Sequence, residues 1–342
     1  MPNSLRSDDG ATAVHPPPVV LDRRQVSLLP LASDPADAPQ ASDGRSREEV
    51  PLLSAVIVTY NVRALLHNCL RTVFASRAPF RFEVCVVDTG NDGSAAMVRQ
   101  AFPAAIVVEA PENPGFAAAN NLGLRRTRGA YCLLLNPDTE VPPDAFAQTV
   151  TVLKADPTIG VLGPKLVRAD GRLDLACRRS FPTPRNALFH FLRLPKLFPQ
   201  LPSFGEYNLT FKDPDEAYDV DAVAGAYMLI RRATLEEIGL LDETFWMYGE
   251  DVDLCWRGKV HGWRTRYHPA VRVLHLKGQS SKRRSLRCTY EFFRAMSLFY
   301  RKHYAPHSTP AMNAIVTAGI VAFGAGSMAL DRLRPPTRRR VS

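Results

Sequence analysis

Two adjacent carboxylates, Glu250 and Asp251, follow Gly249 in the stretch 245–257, FWMYGEDVDLCWR, and open what the spacing predicts as an amphipathic helix. On a helical wheel Val252, Cys255 and Trp256 share one face, while Asp253 and Arg257 stand opposite as a surface i,i+4 ion pair. Asp251 falls at the edge of the apolar face, where partial desolvation would raise its pKa toward the range of a general base. The same two carboxylates would also complement the positive end of the helix dipole, a purely structural role. A second set of polar residues, Thr59-Tyr60-Asn61, Asp88 and Asp138, stands where apolar runs end. Singly, each could be a helix cap or a turn residue. Ligands in open α/β sheets bind beyond the carboxyl ends of the strands, so the joint placement of these residues on one rim predicts a pocket.

The elements that must position them follow from periodicity. Residues 52–59, LLSAVIVT, form a continuous β-branched run of the kind found in a strand covered on both faces. A helix is expected over 62–76, a strand over 81–88, a helix over 95–102 and a strand over 105–109. A further helix over 116–127 and a strand over 130–135, which runs into Asn136-Pro137-Asp138, complete the alternation. Such alternation predicts a parallel sheet with right-handed crossovers. Residues 182–214, rich in Pro, Phe and Leu, read as a long ordered loop or lid over the site. A strand is expected over 220–230, with Gly225 allowing close backbone approach, then a short helix over 232–238 and short strands over 263–267 and 271–275. Lys277 to Ser281 reads as a polar loop.

Both ends differ from this middle. Residues 1–50 mix Pro, Asp, Ser and Arg without sustained period and read as a disordered extension with no signal-peptide progression. The formal charge of +9 is uneven: residues 1–50 sum to −3, whereas residues 277–342 sum to +11. An aromatic and basic helix over 286–304 precedes 311–330, twenty residues without a charge and flanked on both sides by basic residues. That pairing points to a lipid surface rather than nucleic acid. The six cysteines show no metal spacing and read as reduced, packed thiols of a cytosolic chain. At 342 residues with 46% hydrophobic content, the chain can bury one large core or two ordinary ones.

Five stretches, VIVTYN, VVD, NPGFAAANNLGL, LLLNPDT and the pair VAGAYMLIRR with FWMYGEDVDLCWR, make the chain resemble family 2 glycosyltransferases of GT-A fold, rhamnosyltransferase-like members in particular. The resemblance runs over about 53–281. It implies a catalytic domain at 51–284, after the 1–50 extension; the aromatic, basic and apolar composition of 285–342 reads as a membrane-associating helical region. It also implies that Thr59, Asn61 and Asp88 serve the nucleotide of a nucleotide-sugar donor, and that Asp138 and His275 hold a divalent metal, Mg2+ or Mn2+, on its diphosphate. Asp251 would be the catalytic base, with Glu250 and Trp246 as acceptor or supporting residues. Two departures stand out: DTGNDGS replaces the usual DNGSxDGS, and Asn136 replaces the first carboxylate of the DxD. The implied reaction is an inverting, non-processive transfer to a saccharide or polyprenyl-diphosphate-linked saccharide in envelope polysaccharide synthesis, at the cytoplasmic face of the inner membrane. L-rhamnose from dTDP-rhamnose is the expected donor, with UDP-galactofuranose or UDP-GlcNAc as alternatives. Processive members carry QxxRW and several membrane helices, and neither occurs here. An inactive GT-like binding protein is disfavoured because Asp138 and Asp251 are both present. A nucleotidyltransferase or a Rossmann dehydrogenase would need glycines after the first strand, where this chain has Tyr60-Asn61-Val62-Arg63.

Overall fold

The computed structural model describes residues 50–276 and 286–333. The expected extension over 1–49, the polar loop from Lys277 and the basic residues from Arg334 onward lie outside the described residues. The chain opens with β1 (Leu53–Thr59), α1 (Arg63–Phe74), β2 (Phe82–Asp88), α2 (Ser94–Ala101), β3 (Ile106–Glu109), α3 (Phe116–Arg125) and β4 (Tyr131–Leu135), within a few residues of the expected bounds. All of β1 is buried, as its unbroken apolar run requires. β1 lies between β2 and β4, and β2 pairs β3, all in parallel. Alternate residues feed the two faces. Ala55 and Ile57 join the core under α1, whereas Val56 meets Leu124 of α3 on the other side.

The second half departs from a purely parallel sheet. β5 (Thr139–Glu140), α4 (Ala145–Ala155) and β6 (Ile159–Val167) come next, then the short helices α5 (Pro184–Phe191), α6 (Leu194–Leu197) and α7 (Pro202–Gly205). The expected loop at 182–214 therefore carries three short helices, joined by irregular chain. Thr183 and Asn186 form a reciprocal capping box with Pro184 in the first turn, which starts α5. The expected strand over 220–230 is two strands, β7 (Tyr218–Val220) and β8 (Tyr227–Arg231), because they serve different neighbours. β7 pairs β9 (Arg264–His275), and β8 pairs β4 and β6, antiparallel in each case. Conversely, the two short strands expected at 263–275 are the single strand β9. It pairs β6 in parallel and bulges where the register jumps from His268 to Arg272, across Pro269. The sheet order is β3-β2-β1-β4-β8-β6-β9-β5.

Helices α8 (Arg232–Ile238), α9 (Glu250–Val260), α10 (Leu286–His303) and α11 (Pro310–Leu333) complete the chain. Leu254 and Cys255 of α9 and Ala295 and Phe299 of α10 pack into the core that also holds Met228 and Ile230 of β8. The cysteines outside α10 are buried free thiols, and Cys288 is partly buried.

Candidate active site

The carboxyl ends of β1, β2 and β4 lie side by side, since Thr59 is in register with Asp88, and Ile57 with Leu135. Asp88 holds the loop that follows it: Oδ1 accepts from the Gly90 N–H at 3.0 Å and Oδ2 from the Ala95 N–H at 2.9 Å. Asn61, at a positive φ of 53°, accepts from the Asn91 N–H at 2.8 Å and so laces the β1–α1 loop to the β2–α2 loop. Asp92 adds the Arg63 N–H at 2.8 Å and the Ser94 hydroxyl at 2.6 Å. Burial alone would raise the pKa of Asp92, but the Ser94 and Arg63 hydrogen bonds hold it below the ordinary value. Asp88 and Asn61 thus shape the loop by which they were singled out. Thr59 Oγ1, by contrast, is buried with no hydrogen-bond partner among the described residues.

Past β4, the chain turns at Asn136-Pro137-Asp138 into β5, whose Thr139 pairs antiparallel with His275 at the end of β9. This ladder brings His275 Nε2 to 3.3 Å from Asp138 Oδ1, and the Asp174 carboxylate takes the ring's other side, 2.9 Å from Nδ1. Burial would lower the pKa of His275, yet its bonds to Asp138 and Asp174 push it up to about 9. Asn136 Oδ1 is buried without a partner, and its N–H donates to the carbonyl of Ala226, just before β8.

That bond places the start of β8 on the same rim, and with it Asp251. Asp251 Oδ2 accepts from Arg179 Nη2 at 2.6 Å and from the Gly225 N–H at 3.3 Å. The pair is mostly buried: the Arg179 and Asp251 side chains are 11% and 14% exposed. Arg179 reaches this point because its backbone bridges to Ala222 and its Nη2 also donates to the carbonyl of Val223 at 2.9 Å. Burial disfavours the charge on Arg179, but Asp251 more than offsets it and raises its pKa. A Cβ at Gly225 would lie 3.8 Å from Asp251 and Phe116, an ordinary contact, so the expected need for a close backbone approach there is not observed.

Glu250 is buried, its Oε2 has no hydrogen-bond partner among the described residues, and desolvation together with the charge of Asp251 pushes its pKa up to about 8. Asp253 differs from expectation too. It is no surface pair: fully buried, it meets Arg257 at 2.8 Å, Lys302 at 2.8 Å and His303 at 2.7 Å. Burial would raise its pKa, but His303, Arg257 and Lys302 hold it down to about 2. Trp246 is a clamp. Its carbonyl accepts from the Phe116 N–H at 2.7 Å, and the Arg287 guanidinium sits 3.8 Å over its ring. Gly115, at φ 101°, lies so close that a Cβ would be 2.5 Å from Trp246. Asn121 ties α3 to the approach to α9 by exchanging hydrogen bonds with Leu241 and donating to Glu243.

Arg179, Asp174 and Asn121 were not singled out in the sequence. Arg178-Arg179, set between Cys177 and Phe181, offered one readable signal, two cations inside an apolar run.

A nucleotide-sugar-type α/β sheet with a carboxylate rim defines a GT-A glycosyltransferase, and the comparisons agree. Residues 51–293 match the family described as "Glycosyltransferase like family 2", and the chain belongs to that family. It is 27% identical over 245 residues to the N-acetylglucosaminyl-diphospho-decaprenol L-rhamnosyltransferase of Mycobacterium tuberculosis, covering 68% of this chain and 78% of that one. The low-salt glycan biosynthesis hexosyltransferase Agl10 of Haloferax volcanii is 28% identical over 213 residues, 60% of this chain and 61% of its own. In fold the chain is similar to the mannosyltransferase PcManGT of Pyrobaculum calidifontis, solved with GDP-Man and Mn2+ (TM-score 0.52, 18% identity, 85% and 83% of the two chains). It is also similar to S. aureus TarS (TM-score 0.50, 14% identity, 79% and 42%).

Among the described residues no group of three or more His, Cys, Asp or Glu is arranged around a metal. The Asp138 and His275 pair nevertheless suits a cation completed by substrate oxygens rather than by a protein cage. A ligand histidine normally has its second nitrogen held by a carboxylate, as Asp174 does here.

Proposed function

We propose that this glycosyltransferase moves one sugar, L-rhamnose from dTDP-rhamnose, with inversion onto a polyprenyl-diphosphate-linked saccharide. The observation that carries the site is a group of orphaned atoms. Thr59 Oγ1, Asn136 Oδ1 and Glu250 Oε2, three of the seven buried side-chain atoms without a hydrogen-bond partner among the described residues, belong to residues at the ends of β1 and β4 and beside Asp251. Buried polar atoms are ordinarily paired, so a polar ligand on this rim is what completes them. The choice of donor and acceptor rests on the mycobacterial relative, whose name specifies an L-rhamnosyl transfer to a decaprenol-linked N-acetylglucosamine.

In this reading Thr59 meets the nucleotide, while Asn61 and Asp88 keep the loop beneath it in shape. Asp138 and His275 would hold Mg2+ or Mn2+ on the diphosphate, where the cation offsets charge developing on the leaving group. Arg179 and the Gly225 N–H aim the Asp251 carboxylate. Asp251 takes the proton of the acceptor hydroxyl as its oxygen attacks C1, the nucleoside diphosphate departs from the opposite side, and one displacement inverts the centre. Residues 51–284 would then be the catalytic domain.

The test is a panel of dTDP-rhamnose, UDP-galactofuranose, UDP-GlcNAc and GDP-mannose with a polyprenyl-diphosphate-GlcNAc acceptor. Rhamnosyl product with inverted configuration is expected. Turnover of another donor alone would replace rhamnose, and binding without turnover of any would restore the inactive binding protein.

A further inference from the structure

Most of the large apolar side chains left exposed among the described residues fall in two stretches far apart in sequence. Leu197 (68% exposed), Phe198 and Leu201 lie in or beside α6 and α7, and Ile315 (67%), Val321 and Leu333 (83%) lie on α11. The two stretches meet. Phe191, the last residue of α5, stacks on Phe323 of α11 with centroids 4.7 Å apart and planes 13° apart, and also on Phe293 of α10.

Helix α11 is long and apolar enough to cross a membrane by composition. It is docked along its whole length, however. Near its start Asn313 accepts from the Tyr300 hydroxyl at 2.8 Å and donates to the carbonyl of Ala305 at 3.1 Å. At its middle Gly324 lies against the Phe293 ring, and near its end the buried Asp331 accepts from the Thr289 hydroxyl at 2.6 Å. The more enclosed positions are Asn313, Val316, Ile320, Gly324, Ser327 and Asp331, at three- and four-residue spacing, with Gly319 and Met328 beside them, and they form one stripe. That stripe faces α10, whose other side is fixed to the catalytic core by His303 to Asp253, Lys302 to Asp242 and Arg294 to the carbonyl of Thr244. A helix crossing the bilayer would have to carry α10 with it, and with α10 the charged groups that bind it to α9.

We infer that the α5–α7 segment and α11 together form one monotopic membrane face, with α11 lying in the plane of the bilayer surface rather than spanning it. Charge selects the occupant. Of the charged residues that border this face, Arg185 is paired with Glu206 at 2.6 Å, and the exposed Arg193, Lys196 and Arg332 leave a cationic excess, which matches anionic headgroups around an apolar boundary. A second copy of the chain would oppose like charge to like. The inference deepens the lipid-linked acceptor reading above, but its test needs no sugar donor and so fails or succeeds separately.

Flotation of the full-length protein with vesicles of phosphatidylglycerol and phosphatidylcholine provides the first measurement. Strong flotation that weakens on pure phosphatidylcholine is expected. Leu197→Glu with Phe198→Glu, and separately Ile315→Glu with Val321→Glu, should each weaken it roughly tenfold, because a charge at the apolar boundary is costly. These positions are exposed, so the thermal midpoint should not move. In cells, Met312→Cys and Arg332→Cys should both react with an impermeant maleimide from the same side of inside-out membrane vesicles. The inference is overturned if the folded protein does not float, if the α6 substitutions have no effect, or if the two cysteines label from opposite sides. It is equally overturned if the substitutions split a dimer in light scattering while flotation is unchanged, since the face then belongs to a second copy.

Discussion

Asp251 and Glu250 are chain neighbours with unlike surroundings, and different measurements report on them. Asp251→Asn should lower kcat by about 10²- to 10⁴-fold with donor affinity close to normal, as loss of a general base does. Asp138→Ala should instead weaken metal-dependent donor binding, read by calorimetry with and without Mn2+. Arg179→Lys keeps the charge but not the reach to Asp251; misplacement of this kind can cost up to about 10²-fold in kcat, with the donor KM unchanged. For Glu250 the pH dependence has a definite sign. A carboxyl whose folded pKa is raised to about 8 from 4.5 contributes stability that is present in full below the unfolded value and is lost as pH rises through about 8. Glu250→Gln should therefore raise the thermal midpoint relative to wild type at pH 9 and change it little at pH 4. A carboxylate beside a helix's apolar face could be picked out from spacing alone. Its partner could not, because Arg179 is 72 residues away and only the fold brings the two together.

At the scale of elements, α9 is held by a buried charge where a solvated one was expected. Asp253→Asn leaves Arg257, Lys302 and His303 around a neutral amide, so it should cost about 3–5 kcal/mol, measured by denaturant unfolding, rather than the fraction expected of a surface pair. Because the pKa of Asp253 is depressed to about 2, its contribution is present above the unfolded value of 3.8 and disappears as pH falls through about 2. The misreading came from periodicity. An α9 wheel shows one apolar face, but α10 covers the other, and its His303 lies fifty residues beyond Asp253. Gly115→Ala should cost about 1–3 kcal/mol through the positive φ and the contact with Trp246. The strands β1 to β4 were legible because each is a local apolar run bounded by turns. β7 and β8 ran together in the sequence reading because their division depends on which strands they pair with.

Over the whole molecule, the β1–β4 half of the sheet is local in sequence and the mixed half built from β5 to β9 is not, which is why the bounds of the first follow from local periodicity and those of the second do not. The same asymmetry acts in time. β4 pairs β1 on one side, but its other edge waits for β8, whose Tyr227 is the register partner of Leu135. With roughly 5–20 residues added per second during synthesis, that edge, Tyr131 to Leu135, stays open for about 5–20 s after it emerges. An open apolar strand edge is a template for pairing with another chain. β8 also covers one edge of β6, whose other edge waits for β9, so a nascent chain stopped before residue 227 holds unfinished edges on both β4 and β6. Ribosome-bound chains of this protein should accordingly engage chaperones most strongly between the emergence of β4 and that of β8, and should release them as β8 slots between its two neighbours.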